Sequence, residues 1–162
     1  MKALTIWQPW ASLIIAGAKP WEFRAWPAWS SVVGQRIVIH AGAPMMEPAE
    51  ISELIERLRG PHHKLTGLLR AKALPILERA QREPKMFPRK HGLGTAKLGT
   101  PILACDLWPE AFTSDSSRRS QSNWAWPLTE IEPFEPPVPS RGAQGFWDWG
   151  GRSPNARLGQ LV

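Results

Sequence analysis

The apolar positions along the chain change period several times, and each change marks an element. Ala3–Trp7 is a short strand candidate, ended by Gln8-Pro9 because proline removes a ladder donor. Trp10–Ala16 is compact and apolar, and Gly17 follows it, the pattern of a short helix closed by a glycine. Trp21–Ala25 alternates, with Trp21 and Phe23 on one face and Glu22 and Arg24 on the other, so it reads as a second strand. Within Gly34–Ala41 the β-branched run Ile37-Val38-Ile39 gives the clearest strand, with His40 at its end. In Pro48–Arg59 the period becomes helical: Ile51, Leu54, Ile55 and Leu58 follow i, i+3, i+4, i+7, Pro48 suits the first turn and Gly60 the stop.

The second half is less regular. Leu65–Arg82 carries Leu68, Leu69, Ile76 and Leu77 on an apolar side and is expected to form helix kinked or split at Pro75. Glu83–Gly99 is basic and rich in proline and glycine, which reads as a loop, and Thr100–Leu107 is a further strand candidate. Thr113–Asn123 has no apolar residue and reads as a mobile loop. Order resumes at Trp124-Ala125-Trp126, Ile131–Pro139 is proline-dense and extended, and Phe146, Trp147 and Trp149 return to the core. Residues 1–150 are then one domain, and 151–162 a frayed tail. The order of elements is mixed α+β, and a small β-barrel with flanking helices accommodates it.

Composition narrows the function classes. A chain of 162 residues buries roughly 70% of its unfolded surface on folding and needs no staples. Its single cysteine, Cys105, excludes an internal disulfide and a multi-cysteine zinc site, which fits a reducing cytoplasm, and its apolar surroundings suggest a core filler. The early apolar run Ala11–Ala18 is far shorter than the ~20 residues of a membrane span. The adjacent pair His62-His63 diverges too much to share a metal ion. Gly92-Leu93-Gly94 lacks the context of a phosphate loop, so neither a metal nor another cofactor is expected. Charge is more informative. Between Lys64 and Lys97 nine basic residues face only Glu78 and Glu83, so the whole net charge of +6 resides there while the rest of the chain is close to neutral. Such a segment, including Lys85, Arg89 and Lys90, attracts polyanions. The ten tryptophans add flat faces on which bases can stack. Trp21, Trp26 and Trp29 flank the polar strand face, whereas Trp7, Trp10 and Trp147 are expected in the core.

The segment Gly17-Ala18-Lys19-Pro20-Trp21-Glu22-Phe23-Arg24 resembles the ASCH motif of glycine, any residue, lysine, any two, glutamate, any residue, arginine. Ala3–Ala11, Ile37–Ala41, Trp124–Trp126 and Arg141–Trp147 are similar to further blocks of that family. The resemblance covers most of residues 3–149 and leaves the basic stretch of about 64–99 as an insertion. It implies a PUA-like β-barrel with a cleft beside the motif and an association with RNA or a nucleotide. Some members are hydrolases, either ribonucleases or amidohydrolases acting on acetylated cytidine. The latter carry threonine where this chain has Glu22, and a carboxylate cannot replace a hydroxyl donor.

Three readings follow. In an RNA-binding module, Lys19, Arg24 and the basic patch hold phosphates, and His40, Trp21 and Trp26 contribute to the cleft. In a metal-independent hydrolase, Lys19 is the base, Glu22 orients water or acts as acid, and Arg24 stabilises developing negative charge. In an interaction domain, Pro133–Pro139 docks on a partner as a polyproline strap.

Overall fold

The computed structural model describes residues 1–107, 109 and 124–150. Among these residues seven strands are formed: β1 (Lys2–Gln8), β2 (Trp21–Arg24), β3 (Arg36–Met45), β4 (His91–Leu98), β5 (Ile102–Leu103), β6 (Trp124–Pro139) and β7 (Phe146–Asp148). Four α-helices accompany them among the described residues: α1 (Trp10–Ile15), α2 (Pro48–Arg59), α3 (Arg70–Arg82) and the single turn α4 (Ala104–Leu107). The strands make one sheet in the order β2-β6-β4-β3-β1-β7, with β5 added to β6. Only β1 and β3 are parallel, with Leu4 opposite Ile39 and Thr5 opposite His40. The class is mixed α+β, as the sequence suggests, but among the described residues no ladder joins β2 to β7, so the sheet is not a closed ring.

Both faces of the central strands are covered, which explains the unbroken run Ile37-Val38-Ile39. Leu4, Ile6, Ile37 and Ile39 pack with Ile14, Trp126 and Phe146 on the inner face. Ala3 and Val38 face outward onto Phe134, Trp147 and Trp149. A separate helical core joins Ile51, Leu54, Ile55 and Leu58 of α2 to Leu77 of α3 and to Leu13 of α1. Helix α2 has the bounds its periodicity gives, and Glu50 at its start accepts the Glu47 N–H at 3.1 Å.

Four expectations change. Residues 91–98 are not a loop but the strand β4, between β3 and β6 in the sheet. Its glycines are there for close approach: a Cβ on Gly92 would lie 2.4 Å from the Trp149 ring, and one on Gly94 2.5 Å from the Glu132 carbonyl. The basic segment is therefore woven into the fold, as a 3-10 turn at His63–Thr66, then α3, then β4. Strand β5 stops at Leu103 and the chain turns into α4, which leaves Cys105 exposed and not a core filler. Pro133, Val138 and Pro139 pair with Gly94, Gly92 and His91, so the proline-dense segment is sheet and not a free strap for a partner. Trp7 is 58% exposed, not core, whereas Trp10 is partly buried against both the sheet and the helical cores. The segment expected to be a mobile loop, Thr113–Asn123, and the tail at 151–162 lie outside the described residues. No described helix is long and apolar enough to cross a membrane.

Candidate functional site

The motif is folded by the end of α1. Gly17 takes φ +68°, which releases the chain from the helix, and the N–H groups of Ala18 and Lys19 both donate to the Leu13 carbonyl, at 2.8 and 3.1 Å. This doubled anchor turns Lys19 inward. Strand β2 then sets Glu22 and Arg24 in register opposite Trp126 and Trp124 of β6.

The three charged groups meet. Lys19 Nζ donates to Glu22 Oε2 at 2.7 Å and also to the carbonyl of Trp21, while Arg24 Nε donates to Glu22 Oε1 at 3.0 Å. Lys19 and Glu22 are buried, and Arg24 is half-buried. The ammonium also lies 5.4 Å from the Phe23 ring centroid and 5.9 Å from that of Trp10, within cation–π range. Arg24 Nη2 donates to the Thr5 carbonyl at 3.2 Å, so a side chain of β2 bridges to β1 where no ladder does.

This seam is hollow. On one side a cavity of about 480 Å³ is lined by Lys19, Glu22, Arg24, Trp10 and Thr66. On the other, one of about 750 Å³ is lined by Arg24, Trp26, His40, Lys90 and the turn Arg141–Gly145. Thr5, Trp7 and Arg24 belong to both walls, so the two form one cleft with Trp7 and Arg24 at its waist. A third hollow of about 530 Å³ adjoins the larger one through Ala43 and Lys90, and carries Lys85 and Arg89.

His40 is not at a strand end, because β3 continues to Met45; it is buried in mid-strand. Its Nε2 faces the Ser140 carbonyl at 3.0 Å, and its Nδ1 faces Thr5 Oγ1 at 3.2 Å. A carbonyl only accepts, so Nε2 carries the hydrogen. Trp147 Nε1 donates to the same Thr5 oxygen at 3.1 Å, so in the neutral ring the Thr5 hydroxyl donates onward to Nδ1. Burial pushes the His40 pKa below its ordinary value; the hydrogen bond to Ser140 opposes this and the charge of His91 adds to it. Both ring nitrogens are thus engaged within the protein, one by the Ser140 carbonyl and one by the Thr5 hydroxyl.

The candidate residues are thus divided. Lys19, Glu22, Arg24, Trp26, His40 and Lys90 line the cleft, and Lys85 and Arg89 line the adjoining hollow. Trp21 lines none of the three and contributes its carbonyl to Lys19. Sequence reasoning missed Thr5, Trp7 and the turn at Arg141–Gly145. Alternation in β1 held the signal for the first two: Leu4 and Ile6 face the core, which places Thr5 and Trp7 on the opposite side. In the turn, a Cβ on Gly142 would lie 2.6 Å from both His40 Cε1 and Thr5 Oγ1, so this backbone sits directly on the floor of the cleft.

A family model, described as the ASCH domain, matches residues 4–137. No curated protein matches the chain. Among solved structures it is similar to the crystal structure of ASCH from Zymomonas mobilis, at 18% identity and a TM-score of 0.45, over 85% of this chain and 72% of that one. Two mutant structures of the same protein match at 19% and 17% identity, with TM-scores of 0.45 and 0.44, over 85% of this chain and 72% and 74% of theirs.

Proposed function

The chain belongs to the ASCH domain family, and from that premise we propose that the cleft between β1 and β2 binds a nucleotide of RNA. Domains of this family are generally associated with RNA. One observation carries the reading for this chain: an exposed tryptophan and a half-buried arginine stand together at the waist of a continuous cleft. Trp7 offers a flat face to a base, and stacking is indifferent to base identity. Arg24 spends Nε on Glu22 and Nη2 on Thr5, which fixes the guanidinium and leaves Nη1 for a phosphate oxygen. Lys90 and Arg141 add positive charge at the rim. The open seam suits a PUA-like barrel parted on one side, with the ligand lying in the gap.

Glu22 is the framework of this site. It holds Lys19 and Arg24 with one oxygen each, which pre-organises two cations that would otherwise repel. That arrangement also weighs against the hydrolytic reading. Both oxygens facing Lys19 Nζ are acceptors, so the amine donates in each contact and offers no lone pair there. Hydrolysis of RNA or of a modified nucleoside by Lys19 and Glu22 predicts turnover abolished in Lys19→Ala; turnover surviving in that variant excludes the pair as acid and base.

The binding proposal is tested by fluorescence anisotropy of labelled RNA over a salt series. Affinity should fall linearly on a log–log plot with salt, by about 0.7 decades per decade for each phosphate contacted. Arg24→Ala should weaken binding about tenfold or more. Affinity unmoved by either change contradicts the assignment.

A further inference from the structure

We infer that residues 84–90 form a second subsite, for a phosphate of a neighbouring nucleotide, so that the ligand is a strand longer than one nucleotide. The inference rests on the cleft being a nucleotide site and adds what lies beside it.

Some surface cations are matched by carboxylates: Lys2 with Asp148, Arg36 with Glu130 and Glu132, Arg59 with Glu56 and Glu78, Lys97 with Glu130. Others are not, Lys64, Lys72, Arg79 and Arg82 among them, so the place of a cation matters more than its lack of a partner. Lys85, Arg89 and Lys90 are exposed, and among the described residues none of them has a carboxylate within ion-pair distance. They also surround a concave space that opens on the cleft through Lys90 and Ala43.

These charges are held in place. The buried Gln8 donates from Nε2 to the Pro88 carbonyl at 2.7 Å, and Phe87 is buried in the helical core. Lys90 adopts φ +59°, a left-handed conformation that non-glycine residues rarely take. Two bonds hold it: its N–H donates to Ala41 at 2.7 Å, and its carbonyl accepts from Ser140 at 2.9 Å. Arg89 Nη1 donates to the Ala43 carbonyl at 3.3 Å. A merely solvated basic loop needs no such fastening. A loop held so, with unmatched cations around a hollow that continues a nucleotide cleft, has the form of a backbone-tracking groove.

The test compares uridine and adenosine monophosphates with oligouridylates and oligoadenylates of three and six nucleotides. Each is titrated calorimetrically into the wild type, into Lys85→Ala/Arg89→Ala and into Arg24→Ala, with thermal melts confirming that the variants fold. The wild type should bind the six-nucleotide strands at least about tenfold tighter than the monophosphates. The double variant should lose that gain, keep monophosphate affinity, and show a salt slope shallower by about 0.7, the share of one phosphate on a single strand. Oligonucleotides that bind no tighter than monophosphates, or a double variant indistinguishable from wild type, overturn the subsite and leave the cleft reading intact. Inorganic polyphosphate that matches the oligonucleotides and ignores Arg24→Ala overturns it too, since the loop would then act as a general anion surface. Binding of no nucleotide at any length overturns both.

Discussion

At the scale of single residues, three positions carry distinct consequences. Trp7 is exposed at the waist of the cleft, so it contributes little to the core and its face is open to a ligand. Trp7→Ala should cost roughly 1–3 kcal/mol of RNA affinity while leaving the melting temperature within a few degrees of wild type; anisotropy and calorimetric melts check the two halves separately. His40 links β3 to the Ser140 carbonyl and, through Thr5, to Trp147. Its pKa is lowered by burial, so the folded state binds fewer protons than the unfolded one between the two values. The stability it contributes is present above about pH 6.5, the unfolded imidazole value, and is lost as pH falls through the lower folded value. Melting temperature should therefore decline on acidification below neutrality, and His40→Gln should flatten that decline relative to wild type; identical profiles would remove His40 as its source. Gly142 explains why the turn above this network was not legible as a site. Nothing in Arg-Gly-Ala-Gln-Gly announces a contact with a histidine a hundred residues away; only the packed backbone reveals it.

At the scale of elements, the cleft depends on α1, β2 and the turn between them. Glu22 is buried with both oxygens engaged, so its removal strands Lys19 and Arg24 as uncompensated charges. Glu22→Ala should destabilise the protein by about 3–5 kcal/mol, the cost of breaking a buried pair by one partner, measured by urea unfolding; a loss under about 1 kcal/mol would mean the triad is not the organiser described here. Local chemistry made much of this legible. The apolar period of α2, its proline start, the glycine stop of α1 and the alternation of Glu22 with its neighbours are all set by residues within one or two turns. Strand β4 was not legible, because its glycines look like loop signals until Trp149 and Glu132 are seen pressing on them. The same holds for β6, whose prolines suggest a free strap until β4 supplies the partner. Cys105 was misplaced for a related reason: Ile102 and Leu103 begin as a strand that pairs with β6 for only two residues.

At the scale of the whole molecule, the sheet and the charge pattern combine into one surface. The sheet path leaves β1 and β2 without a shared ladder, Arg24 bridges the opening, and the hollows occupy it. The cluster of positive charge was visible in the sequence as a local excess, but its direction was not. The fold sets Lys90 on the cleft, puts Lys85 and Arg89 on the hollow beside it, and pairs Lys97 of the same segment with Glu130 elsewhere. A ligand should therefore touch one side of the protein only. Amide chemical shifts recorded while RNA is titrated into the isotope-labelled chain test this most directly. Binding should move Thr5, Trp7, Arg24 and Gly142 first and furthest, and leave Arg36, Lys97 and Glu130 still. Shifts centred on Arg36 and Lys97, with the cleft residues unmoved, would contradict the assignment of the cleft.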